Sequence, residues 1–191
     1  LGGYPILISF FKGNGPIIDY GYTFRMSDVA WGVMYGLVSF FSSLVVALIT
    51  SLIFGEFNSN VGQLPIKDYS ISARIIFAIL ISICGPIVEE LAFRGLLFTS
   101  LVKSNIPPII SIIISALAFA CIHLEPIRIP LLFVVGMVLG WARYQQRSVT
   151  TSTIAHMVQN SPIIVYLFAS NFIHESAQRL MFDVVPMMWS W

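Results

Sequence analysis

Apolar residues in this chain come in long runs, broken by a few short polar or proline-containing stretches. The runs are Val29–Phe54, Ile71–Val102, Ile109–His123, Leu131–Gln145 and Ile154 to about Ala169. About 20 apolar residues in helical geometry cross the roughly 30 Å hydrocarbon layer of a bilayer, so the pattern predicts five helical crossings. Gly32, Gly36, Ser39, Ser42 and Ser43 in the first run, and Gly136 and Gly140 in the fourth, predict close helix packing. The second run is too long for one straight crossing at about 1.5 Å per residue. Gly85-Pro86 interrupts it, and the proline is expected to bend the helix because it removes a backbone donor. Gly55–Tyr69 reads as an exposed loop, Lys103–Asn105 as a turn, Pro107-Pro108 as a helix start and Pro126 to Pro130 as a break. Thr150-Thr151-Ser152-Thr153 supplies helix N-cap candidates for the last run.

The expected fold class is all-α: a polytopic integral membrane helical bundle with an active site buried between its transmembrane helices. It divides into an N-terminal segment 1–28, a transmembrane domain 29–170, and an amphipathic tail 171–191 whose Trp189 and Trp191 suit the membrane interface. Composition agrees. Of 191 residues, 57% are hydrophobic and 10% charged, against roughly 25% charged in soluble domains. A formal net charge of +1 without a basic block excludes a nucleic-acid partner. Cys84 and Cys121 lie in apolar runs without zinc-type spacing, and read as small apolar fillers. Leu1 to Phe11 is too short to span and lacks a signal peptide's basic flank. Because the sequence opens on Leu1, a fragment or processed form is expected. Five single crossings would place Lys12, Arg25, Lys103, Arg143 and Arg147 on one side, and Lys67, Arg74, Arg128 and Arg179 on the other. That bias is too small to set the orientation.

Against this background the polar residues inside the runs are costly, and such residues usually face a protein interior or a functional cavity. Glu90 and Arg94 are four apart on a helix and can pair, whereas Glu89 points about 100° away. Arg94 would then neutralise Glu90 and leave Glu89 as a carboxylate able to meet water. Phe119 and His123 share a face, as do His156 and Asn160, and the latter pair could donate to an oxyanion. Each group also has a purely structural reading, as a charge-neutral network or a helix–helix hydrogen bond. Glu125, beside Pro126, reads as a wet-loop residue, and His174 as a solvated one. Together the groups supply the kit for water attack on an amide. Carboxylate and imidazole also suit zinc, although an H-E-x-x-H helix is absent. A scaffold without activity and a proton carrier are the competing classes.

Three ordered motifs resemble a known family. Glu89-Glu90-x-x-Phe93-Arg94-Gly95, then Phe119-x-x-x-His123, then His156-x-x-x-Asn160 are similar to the pattern of the CAAX protease and bacteriocin-processing proteins. These are also called Abi or type II CAAX prenyl endopeptidase-like intramembrane proteases, and the resemblance covers roughly Ser70 to Ser170. It implies that Glu89 activates water, that His123 holds the same water and that His156 and Asn160 form the oxyanion hole. Glu90 and Arg94 would brace the helix. It implies no obligatory cofactor, with zinc held by Glu89, His123 and His156 as the alternative. It also implies a peptide or protein substrate, lipidated or membrane-bound, and a place in a bacterial plasma membrane or a membrane protein complex.

Overall fold

A computed structural model describes residues 3–55 and 69–168. Its elements are α1 (Gly3–Lys12), α2 (Pro16–Tyr20), α3 (Met26–Phe54), α4 (Ile71–Lys103), α5 (Pro108–Ile122), α6 (Ile129–Gln146), α7 (Val149–Asn160) and α8 (Pro162–Phe168). Among the described residues there is no strand, and the protein is a helical membrane bundle. The tail from Asn171, with His174, Arg179, Trp189 and Trp191, and most of the predicted 55–69 loop, with Lys67, lie outside the described residues.

The bundle is apolar outside and small or polar inside, the inverse of a soluble protein. On α3 the large residues Leu37, Phe41, Leu48 and Leu52 face outward, while Gly32, Gly36, Ser39, Ser43, Ala47 and Thr50 form the buried stripe. That stripe admits α7 at close range. A methyl group placed on Gly36 would lie 2.5 Å from Val158, and one on Gly32 would lie 2.6 Å from Ile154. Gly136 and Gly140 do the same for α5 against α6, opposite Ala116 and Ile112. Backbones that approach this closely gain dispersion contacts that lipid tails cannot match.

Three helical stretches are long and apolar enough to cross a membrane: Met26–Phe54, Ile71–Lys103 and Pro126–Gln146. The expected five crossings are therefore corrected in two places. Helix α5 has 15 residues, about 22 Å at helical rise, and ends partway along α4. The last run is not one span but α7 and α8, broken at Ser161-Pro162, where proline cannot continue the preceding helix. The threonine run also lies inside α7 rather than capping it. Arg147 takes a left-handed conformation (φ 54°) that ends α6, and Ser148 becomes the cap, its hydroxyl accepting from the Thr151 N–H at 3.4 Å.

Gly85-Pro86 does not break α4. Two wide π-type turns, Leu80–Cys84 and Leu91–Leu97, lie before and after the short α-helical segment Gly85–Glu90. In the first, the Gly85 N–H bonds to the Leu80 carbonyl five residues back. The next bond in that register would run from residue 86 to Ile81, and proline has no N–H to make it. The two cysteines are corrected as well: Cys84 and Cys121 are exposed on the outer face of the bundle.

The N-terminal segment is stitched onto one end of the bundle. Asp28, 1% exposed, accepts from the Arg25 N–H at 2.6 Å and from the Thr151 hydroxyl at 2.7 Å. This closes the first turn of α3, starts that helix at Met26 and pins it to α7. The Thr23 carbonyl accepts from Ser148 and Thr150, and Arg25 reaches the Gln146 carbonyl at 2.6 Å.

Candidate active site

The wide turn Leu91–Leu97 and the segment before it place both glutamates and Arg94 toward α5, α6 and α7. Glu90 and Arg94 are fully buried, with Arg94 Nη1 2.6 Å from Glu90 Oε1. Arg94 Nη2 donates to the Gly136 carbonyl of α6 at 2.9 Å, and its guanidinium lies 4.9 Å from the centre of the Phe119 ring. A buried charge persists only when paired and hydrogen-bonded, and this arginine has a carboxylate, a carbonyl and an aromatic face.

The same Glu90 oxygen lies 3.1 Å from His156 Nδ1. A carboxylate paired with arginine can only accept, so Nδ1 carries the proton and donates. In the neutral ring Nε2 is then an acceptor. His156 Nε2 faces Glu89 Oε2 at 4.0 Å, too far for a direct hydrogen bond and of the right order for a shared water. Glu89 Oε2 is buried without a hydrogen-bond partner, while the Glu89 side chain as a whole keeps 21% exposure. This is the division expected from the helical spacing: Glu90 engaged, Glu89 poised.

Phe119 organises the two imidazoles. Its ring lies edge-on to His123 at 4.8 Å, to His156 at 5.7 Å and to Phe93 at 5.4 Å. Its carbonyl lies 2.6 Å from His123 Nδ1. A carbonyl can only accept, so His123 also carries its neutral-form proton on Nδ1. Because α5 is short, its C-terminal His123 sits beside the middle of α4 rather than at the far membrane surface.

Asn160 enters differently. Its Nδ2 donates to the Ile81 carbonyl at 3.2 Å, the acceptor that Pro86 leaves unmatched. One amide proton thus repairs the proline defect in α4, and the other remains available to the cavity side. Glu125 is corrected: its carboxylate pairs with the buried Arg128 at 2.6 Å, in the turn after His123. Among the described residues, no group of three or more His, Cys, Asp and Glu side chains is placed to hold a metal ion.

Sequence reasoning missed Tyr22. It lies before α3, close enough to feel the Glu90 charge, and hydrogen-bonds with Thr153. Burial pushes its phenol above the usual range; the Thr153 bond opposes this, and Glu90 adds to it. No spacing rule links residue 22 to a motif sixty residues on. The Gly136 and Ile81 carbonyls were equally hidden, being backbone atoms.

Comparison with known proteins bears on the same region. Residues 71–162 match the family model for type II CAAX prenyl endopeptidase Rce1-like proteins. The chain is 28% identical over 145 residues to "Membrane-embedded CAAX protease MroQ" of Staphylococcus aureus, covering 72% of this chain and 58% of that protein. It is 24% identical over 139 residues to "Putative membrane peptidase YdiL" of Bacillus subtilis, covering 72% of this chain and 56% of that protein. The chain thus spans a little over half the length of these curated relatives. No solved structure is significantly similar to it. The segment 71–162 contains Glu89, Glu90, Arg94, Phe119, His123, His156 and Asn160, and it belongs to the Rce1-like type II CAAX prenyl endopeptidase family.

Proposed function

We propose that this protein is an intramembrane endopeptidase that hydrolyses a peptide bond with a water activated by Glu89. The observation that carries this reading is the unpartnered, buried Glu89 Oε2 facing the His156 Nε2 at 4.0 Å. Glu89 takes a proton from the water as the water oxygen bonds to the scissile carbonyl carbon, then passes that proton to the departing amine. His123, with Nδ1–H committed to the Phe119 carbonyl, offers its other nitrogen to the same water. The second amide proton of Asn160 supplies a donor for the developing oxyanion. His156 joins it as a donor when protonated, since its Nδ1–H is held by Glu90. Glu90 and Arg94 position the helix and the ring without touching the reacting atoms.

The chemistry needs no cofactor. Zinc on Glu89, His123 and His156 is the alternative. We place the protein in a bacterial plasma membrane, with a lipidated or membrane-bound peptide as substrate. Both relatives are bacterial, and the first is named a CAAX protease.

The test is peptide cleavage by purified protein in lipid. Glu89→Gln and His123→Ala are each expected to abolish turnover while the unfolding transition stays in place. Normal turnover by either variant would refute the assignment. A wild-type protein that never cleaves, yet binds a partner through the same face, would favour a scaffold.

A further inference from the structure

At the end of the bundle where α4 and α6 finish and α5 begins, Lys103, Arg143 and Arg147 surround a hollow of about 210 Å³, together with Thr99, Tyr144 and Pro108. No residue lining it is acidic. Among the described residues none of the three cations forms an ion pair. Arg143 is held from behind: Nη2 donates to the Tyr20 carbonyl at 3.3 Å, and its guanidinium lies 5.8 Å from the centre of the Phe98 ring. Its Nε is buried and has no partner. The acids at this end are committed elsewhere. Asp28 is tied to Arg25 and Thr151, and Asp19, which feels the Lys103 charge, accepts from Ser9 and Asn14.

An apolar groove lies next to this hollow. It holds about 280 Å³ between α3, α5 and α6, and Tyr35, Ile109, Met137, Val138 and Trp141 line it. Polar surface is almost absent from it, and it faces the lipid side of the bundle. The two hollows adjoin: Trp141 packs on Tyr144 at 5.7 Å, and Ile109 follows Pro108. A cationic cup at the end of a membrane-spanning helix, beside an apolar trough running into the bilayer, matches a molecule with an anionic head and a hydrocarbon tail.

We propose that Lys103, Arg143 and Arg147 bind the phosphate of an anionic phospholipid, one acyl chain of which lies in the groove along Met137, Val138 and Trp141. The occupant is a resident lipid, separate from any peptide at Glu89. Binding to the folded protein alone stabilises it by mass action.

The experiment measures unfolding and lipid binding of the purified full chain in neutral detergent. It adds phosphatidylglycerol, phosphatidylcholine with the same acyl chains, or glycerol phosphate. Phosphatidylglycerol is expected to raise the unfolding midpoint, and the other two to leave it unchanged. K103Q/R147Q, which alters only exposed side chains, is expected to keep its midpoint without lipid and bind phosphatidylglycerol about 30-fold more weakly, for the loss of two cations near a membrane surface. V138W, which fills the groove, is expected to weaken the same binding with the cations intact. An equal shift with phosphatidylcholine, a shift with glycerol phosphate, or undiminished binding by K103Q/R147Q would each overturn the proposal. Undiminished binding by V138W would remove the acyl chain from the groove and overturn that half of it.

Discussion

Removing one charge from the Glu90–Arg94 pair should cost far more than removing both. Each side chain is fully buried, and the contact is 2.6 Å. In Glu90→Gln, the guanidinium loses its counter-charge and keeps only the Gly136 carbonyl and the Phe119 face. In Arg94→Met, the carboxylate keeps only His156. Breaking a buried pair from one side costs about 3–5 kcal/mol, because the remaining charge has lost its solvent and its partner. The retained carbonyl bond, a charged hydrogen bond of about 1.5–3 kcal/mol, puts Glu90→Gln at the lower end of that range and Arg94→Met at the upper. The double variant places a neutral amide beside an apolar chain, so its loss should fall at least about 2 kcal/mol short of the sum of the singles. Reversible unfolding in mixed micelles, with all four proteins at one detergent composition, measures the cycle. Strictly additive losses, or a single variant costing under about 1 kcal/mol, would show that the pair is not a desolvated ion pair. Activity separates the effects again: the double variant is expected to refold well and cleave poorly, because His156 loses its strong acceptor.

Asn160→Ala should cost about 1–3 kcal/mol by leaving the Ile81 carbonyl unmatched in a buried setting. Pro86→Ala should return part of that stability by supplying a backbone N–H, and the same unfolding assay would show its failure to do so. Exhaustive chelation is expected to leave peptide cleavage unchanged; a loss restored by zinc alone would move the chemistry to the zinc reading. The Ser9 hydroxyl, opposed by partial desolvation and helped by Asn14, holds the Asp19 carboxyl below its usual range. A lowered carboxylate stabilises above its unfolded value and stops doing so as pH falls through the folded one. Hydrogen exchange at the Asn14 amide should therefore be slow at neutral pH and quicken only on acidification into the carboxylate range. Quickening on alkalinisation instead would remove the hydrogen-bonded role of Asp19.

Side-chain periodicity carried much of the architecture. The small-residue stripe of α3 and the pairing of Glu90 with Arg94 follow from spacings of three and four, which a helix imposes on any sequence. What spacing could not reveal lay in the backbone. Gly85-Pro86 reads as a break because proline removes a donor, yet the wide turn Leu80–Cys84 and a side chain from α7 absorb that loss. The run after Thr150 reads as one span because hydropathy counts apolar residues without asking which way they face. Most of α7 is buried in protein, and Pro162 ends it. Glu125 looked wet because it neighbours proline, and only the three-dimensional path of the turn brings Arg128 onto it. The approach of Glu89 to His156 joins residues in different motifs, which one sequence cannot show to be adjacent.

The two wide turns of α4 also determine which changes of chain length the protein tolerates. Each inserts one residue beyond the normal helical repeat, and they flank the segment Gly85–Glu90. Removing a single residue from Leu80–Cys84 would relax that turn to an ordinary helix. It would also rotate everything before it by about 100° relative to the glutamates, turning the Ile81 carbonyl away from Asn160. Substitutions on the outer face of α4 leave this phase untouched. In this helix, insertions and deletions of one residue should therefore be rarer among functional variants than exchanges of side chain.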